Sequence, residues 1–165
     1  MEWCESNLLL EEGGSAILRV GTLQAQLKKM LPTQEHVDRF MKYLDKEEVQ
    51  QYHIVINKGD PPDSMYFIDS GELTTRLELS KGKFIRLASQ SGGTMVGEMG
   101  LFLRQSRTAT VVAEQPSVLY KLSLNEYNRM RQDDPEIAFH LLQWIGRVLS
   151  VRLAENNRTL EALLG

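Results

Sequence analysis

The 165-residue chain has one cysteine, Cys4, five prolines and no excess of positive charge. A lone thiol excludes an internal disulfide and any zinc site built from several cysteines, and it points to a reducing, cytoplasmic setting. Nineteen Lys and Arg against 22 Asp and Glu leave a net charge of -3. No global positive field therefore exists to hold a nucleic-acid backbone, and no nucleic-acid partner is expected. No apolar run approaches the ~20 residues needed to cross a bilayer, and the N-terminus lacks a basic region followed by an apolar one. His36, His53 and His140 have no second ligand at metal spacing, so no metal is expected. Neither a Gly-x-Ser-x-Gly elbow nor any other nucleophile constellation occurs, so the chain is expected to be no enzyme.

What remains is ordinary globular composition, 42% hydrophobic and 25% charged, enough for one core. Three regions follow one another. Residues 1–14 read as a short helix, with Trp3 and Leu8 to Leu10 among acids, ending at Gly13-Gly14. Residues 15–32 read as a helical linker with Leu23, Leu27 and Leu31 every fourth position, closed by Pro32. Residues 33–165 read as the folded domain. In it Thr33 caps a helix carrying Val37, Phe40, Met41 and Leu44. From Val49 to Ser123 short β-branched and aromatic runs alternate with turn residues, seven or so strands of a small antiparallel barrel or roll. Ser80-Lys81-Gly82-Lys83 joins two of them as a hairpin. Ser123 caps a short helix, and Asp134-Pro135-Glu136 opens a long one whose inward stripe runs Ile137, Leu141, Ile145, Val148, Leu149, Arg152 and Leu153. The expected class is α+β, mainly β: an antiparallel, jelly-roll-like β-roll with N-terminal helices and two C-terminal helices.

The chemistry lies in Val96-Gly97-Glu98-Met99-Gly100-Leu101, followed after a short loop by Arg107-Thr108-Ala109-Thr110-Val111. Gly97 and Gly100 let the backbone approach a ligand closely, and a helical turn starting near Glu98 would aim free N–H groups at an anion. Arg107 is suited to grip the same anion with two parallel N–H bonds. Glu98, an acceptor when ionised, needs a donor such as a hydroxyl beside it. A small ligand with a phosphate and a sugar hydroxyl satisfies both. The alternative for Glu98 and Arg107 is a partly buried ion pair inside the roll.

This segment resembles the phosphate-binding cassette of cyclic nucleotide-binding domains: Gly-Glu, a small residue, an apolar pair, a short loop, then Arg-x-Ala-Thr-Val. Lys58-Gly59-Asp60 with Met65 to Gly71 is similar to that family's early strand-turn-strand signature, and the resemblance covers about Phe40 to Leu153. Val96, where an aromatic residue is common, and the longer polar turn from Ser89 to Gly93 depart from the pattern. The resemblance implies cAMP or cGMP as ligand, with no cofactor, and a last helix acting as a hinged lid. It implies that Glu98 accepts the ribose 2′-hydroxyl and Arg107 neutralises the cyclic phosphate. Gly100 and Thr108 would donate backbone N–H groups, with Gly97, Met99 and Ala109 completing the cassette and Ile85 and Leu87 forming the apolar base-facing wall. Thr108 leaves the base open.

Glu2 to Leu10 also resembles the last helix of a STAS domain, as in bacterial sulfate-permease-type transporters that carry such a module. The expected parent is accordingly a membrane anion transporter with the STAS domain attached upstream, and a homodimer through the C-terminal helix is a further expected partner. The alternative is an interaction module that keeps the roll, binds no nucleotide and uses that helix for dimer or interdomain contact.

Overall fold

The computed structural model describes residues 22–165, so the expected helix within residues 1–14 and the start of the helical linker lie outside the described residues. Two helices come first, α1 (Leu23–Met30) and α2 (Gln34–Met41). The Thr22 and Thr33 hydroxyls accept from the N–H groups of Ala25 and His36, which satisfies donors the first turn leaves free. Leu23, Leu27 and Leu31 are buried, and the Leu23 N–H donates to the Asp69 carboxylate at 2.9 Å. The fourfold spacing of leucines is therefore one face of a helix packed into the core.

Eight strands follow: β1 (Asp45–Val49), β2 (Ile54–Ile56), β3 (Ser64–Ser70), β4 (Glu72–Ser80), β5 (Lys83–Ser91), β6 (Met95–Val96), β7 (Thr110–Ala113) and β8 (Ser117–Ser123). They form two four-stranded sheets, ordered β1-β8-β3-β6 and β2-β7-β4-β5, with every pairing antiparallel. The hairpin expected at Ser80 to Lys83 joins β4 to β5, with Gly82 at φ +71°. β1 was not expected as a strand, because Asp-Lys-Glu-Glu-Val has almost no β propensity. It pairs only with β8, and charged side chains suit such an edge.

Between β6 and β7 stands a six-residue helix, α3 (Glu98–Leu103). The chain closes with α4 (Leu124–Asp133), capped by Ser123, and α5 (Pro135–Leu164), 30 residues long. Asp134, expected to cap α5, makes no side-chain cap bond. Its carboxylate accepts instead from Arg39 Nε at 3.0 Å, tying α2 to the start of α5.

Two apolar clusters result. One fills the roll around Ile68, Leu73, Val111 and Leu119. The other joins the helices to the roll, with Phe67 at its centre, edge-on to Phe40 at 5.5 Å and stacked with Trp144 at 5.8 Å. Trp144 is thus committed to packing. Among the described residues no helix is long and apolar enough to cross a membrane.

Candidate ligand cavity

The segment from β6 to β7 borders a cavity of about 260 Å³. Gly97 at φ +85° ends β6 and turns the chain into α3, a conformation that suits glycine. The loop after α3 then returns to place Arg107 beneath that helix. A Cβ on Gly100 would lie 2.5 Å from Arg107 Nη1, so the missing side chain is what admits the guanidinium. Sequence proximity thereby becomes spatial proximity: Gly97, Glu98, Met99, Gly100, Arg107, Thr108 and Ala109 all line the cavity.

Ile85 and Leu87 do not line it. They stand 46% and 55% exposed on β5, and the opposite wall is made by Thr75, Ala88 and Gln90. β5 carries a bulge here: Thr75 pairs with Ala88 and Arg76 with Arg86, which leaves Leu87 without a partner, while Ile85 pairs with Leu77, further along the strand than the residues that line the cavity. Sequence alternation alone cannot locate such an extra residue.

Arg107 is 7% exposed. Its Nη1 donates to the Gly97 carbonyl at 2.8 Å and its Nη2 to the Ser64 carbonyl. Both acceptors are neutral, and no carboxylate lies within 4.0 Å among the described residues. Burial pushes the guanidinium down from its ordinary range, against the more distant pull of Asp63, Tyr66, Asp60 and Glu98. It remains a cation, held by dipoles but not neutralised.

Glu98 is 5% exposed, and it is not paired with Arg107. Its Oε2 lies 3.3 Å from Nη1 of Arg152, which reaches in from α5. The other arm of Arg152, Nη2, donates to the Thr94 hydroxyl at 2.9 Å, the Met95 carbonyl at 3.0 Å and the Gln90 amide oxygen at 3.2 Å. Desolvation pushes this guanidinium down as well, against the pull of Glu98 and Glu155. Sequence reading placed Arg152 on the inward stripe of the last helix without giving it a site role. Its one signal was a charge at an apolar-facing position, 54 residues from its carboxylate partner.

Chemically, the cavity offers one unneutralised cation, one carboxylate already held on a single oxygen, and an apolar wall that includes Ile56, Met95, Val96 and Val111. An anion fits the first, a hydroxyl donor the second, and a flat apolar body the third.

Glutaminase 1 of Bradyrhizobium diazoefficiens is 27% identical over 99% of the chain, although the match takes in 26% of that protein. The cAMP-activated global transcriptional regulator Vfr of Pseudomonas aeruginosa is 25% identical over 77% of the chain and 59% of its own length. Both relatives are thus longer proteins, and this chain spans only about a quarter of the first. Among solved structures, a cyclic nucleotide-binding domain from Methylobacillus flagellatus superposes with a TM-score of 0.74 at 20% identity, covering 95% of this chain and 98% of that one. That likeness establishes the antiparallel roll with its long last helix. The family model described as "Cyclic nucleotide-binding domain" matches residues 46–134, a span holding all eight strands but part of β1, together with α3 and the arginine beneath it. Since that span is more than half of the chain, the protein belongs to the cyclic nucleotide-binding domain family, a family of regulatory domains.

Proposed function

We propose that the cavity binds a cyclic purine nucleotide and does no chemistry on it. The observation that carries this reading is Arg107, buried at the cavity wall with only neutral carbonyls as partners. Desolvating a cation without a counter-charge is costly, and the natural remedy is an anion supplied from outside. A cyclic phosphate against Arg107, with backbone N–H groups of Gly100 and Thr108 beside it, supplies that charge. The free oxygen of Glu98 then accepts the ribose 2′-hydroxyl, while Arg152 holds the other oxygen. The purine lies against the apolar wall near Val96, Val111 and Ala88. The similarity to Vfr, a cAMP-activated regulator, favours adenine as the base.

Arg152 gives this reading its regulatory consequence. It belongs to α5 and lines the cavity, so the position of the helix and the occupancy of the cavity are coupled through Glu98. The effector is taken to be covalently attached. Glu2 to Leu10, outside the described residues, favour the STAS domain of an anion transporter. The match to glutaminase 1 along 99% of this chain supports a second reading, in which the same module regulates an amide hydrolase. The mass and peptide map of the native polypeptide decide between them.

Titration calorimetry with cAMP and cGMP tests the ligand. Wild type is expected to bind at least one of them, and Arg107→Ala at least tenfold more weakly, since hydrogen bonds to charged groups contribute about 1.5–3 kcal/mol. Equal affinity in the two proteins, or no heat and no thermal shift at millimolar nucleotide, overturns the assignment.

A further inference from the structure

Ile85 and Leu87, which the cavity does not use, belong to an apolar group at one end of the roll. β4 pairs with β7 only as far as Arg76, opposite Thr110, and β5 pairs with β4 alone. Beyond Arg76 the hairpin is therefore a free two-stranded ribbon. Its β4 arm, Leu77 to Ser80, is about 13 Å long at roughly 3.3 Å per residue. Lys81 and Gly82 close the ribbon in a tight turn, with Gly82 in the left-handed region. Every residue from Glu78 to Leu87 is exposed. Among them Leu79, Phe84, Ile85 and Leu87 are large and apolar, between 46% and 60% exposed. A ribbon that served only to close the roll would carry polar side chains here, because apolar surface left in water contributes nothing to folding.

Positive charge gathers around the same residues. Arg76, Lys81, Lys83 and Arg86 against Glu78 leave +3 within residues 76–87, in a chain whose total is -3. The Arg76 guanidinium lies over the Phe84 ring, 4.5 Å from its centroid. Arg86 approaches Glu114 at 4.0 Å, while Lys81 and Lys83 have no ion pair among the described residues.

We propose that the tip of the β4–β5 hairpin docks on an anionic lipid bilayer, with its apolar side chains entering the interface and its cations meeting the headgroup phosphates. Two observations select lipid over a folded partner. The first is that both faces of the ribbon carry apolar residues: Ile85 pairs with Leu77 across one face and Phe84 with Glu78 across the other. A rigid protein surface covers one face of such a wedge, whereas a fluid interface closes around both. The second is the mixture itself. Lys and Arg lay apolar stems along the neighbouring side chains and keep their charged heads at headgroup level. Interfacial burial reaches about 5–10 Å, which the free part of the ribbon can supply. Thr75, Ala88 and Gln90 line the cavity nearer the body of the roll, so docking of the tip does not depend on nucleotide binding.

Cosedimentation of the full 165-residue chain with vesicles, without nucleotide, tests the proposal. The vesicles are phosphatidylcholine alone, or phosphatidylcholine with about one third phosphatidylserine. The chain is expected to bind the anionic vesicles, at least about tenfold more weakly the neutral ones, and less as salt rises. Lys81→Glu with Lys83→Glu is expected to weaken binding at least about tenfold. Leu79→Asp with Phe84→Asp is expected to weaken it by about as much. All four positions are exposed, so the circular dichroism of the free protein should be retained. In a Cys4→Ser background, an environment-sensitive fluorophore on Leu79→Cys is expected to shift to the blue on anionic vesicles. The same probe on Lys46→Cys, on the edge strand β1 of the other sheet, is expected to stay unshifted. No association with anionic vesicles, association indifferent to both hairpin variants, or an unshifted probe at residue 79 overturns the proposal. Soluble polyglutamate that binds as tightly as the vesicles and shifts the probe equally also overturns it, since the partner is then an acidic chain.

Discussion

Arg107 and Arg152 border the same cavity from different elements, and their surroundings differ in kind. Arg107, in the loop before β7, is 7% exposed and bonded to two backbone carbonyls. Arg152, on α5, is 24% exposed at its side chain and bonded to a carboxylate, a hydroxyl, an amide oxygen and one carbonyl. Backbone carbonyls cannot leave, so Arg107 is a fixed cation without a counter-charge. The partners of Arg152 lie on the roll while it lies on a separate helix, so its bonds report where that helix is. In the proposed reading, one arginine receives an anion and the other registers it.

A crossed pair of measurements can break this comparison, and it carries the largest expected effects. Arg152→Ala leaves Glu98 buried without its partner, and breaking a buried pair costs about 3 kcal/mol at the lower end of its usual range, which suits a partly exposed partner. Arg107→Ala removes a charge that nothing neutralises and strands two carbonyls, at a net cost of about 1–2 kcal/mol. Urea unfolding should therefore rank Arg152→Ala as the less stable, while calorimetry ranks Arg107→Ala as the weaker binder, with Arg152→Ala losing only several-fold in affinity. The same ranking in both assays would mean that the arginines share one role. Tighter binding by Arg152→Ala would make that residue a competitor of the ligand.

Gly100→Ala sharpens the comparison, because it disturbs one arginine and spares the other. The added methyl would stand 2.5 Å from Arg107 Nη1 and 3.3 Å from Pro62 Cβ, so the guanidinium must shift. Displacing the anion-facing group by a fraction of an ångström is expected to weaken nucleotide binding about tenfold, since charge-assisted bonds depend on geometry. The bonds of Arg152 to Thr94 and Met95 stay in place, so the docking of α5 should not change, as read by amide exchange along the helix. Protection lost from α5 would show that the two arginines are mechanically linked through α3.

The same contrast explains what could be read without coordinates. Gly97, Glu98, Gly100 and Arg107 lie within eleven consecutive residues, and each has a chemical reason to be where it is, so the cassette was legible as a local pattern. Arg152 was not, because its partner is 54 residues away and a charge on a helix is ordinary until the packing is known. Ile85 and Leu87 were assigned to the wall on β5, but Leu87 is left unpaired by a bulge, Ile85 lies further along the strand, and Ala88 and Gln90 line the cavity instead. β1 was hidden by its charges, which record its place at a sheet edge and not its backbone. The helices were legible, since their capping residues and apolar spacing are local. Asp134 escaped as a cap because its carboxylate is bound by Arg39, more than 90 residues earlier.

Arg39 supplies the control for the two cavity arginines and the smallest expected effect. It is an exposed-end pair: its side chain is 31% exposed, and it meets Asp134 and Glu136 where α2 touches the first turn of α5. Hydrogen bonding to Arg39 holds the Asp134 carboxyl below its ordinary 3.8, and hydrogen bonds from His36 first, then Arg39, hold Glu136 below its ordinary 4.5. A carboxyl held low in the folded state binds its proton more readily when unfolded. Its contribution is therefore complete above the ordinary value and disappears as pH falls through the folded one. Stability should decline from about pH 5 downward, and Arg39→Ala should move the acid-unfolding midpoint slightly upward while leaving stability at pH 7 little changed, because solvent and salt screen such pairs. Arg107 and Arg152 stay charged throughout that range and add no slope of their own. Followed by tryptophan fluorescence, an Arg39→Ala midpoint unmoved or lowered would mean that the two carboxyls owe their depression to something other than this arginine. The difference between Arg39 and the two cavity arginines would then rest on the cavity alone.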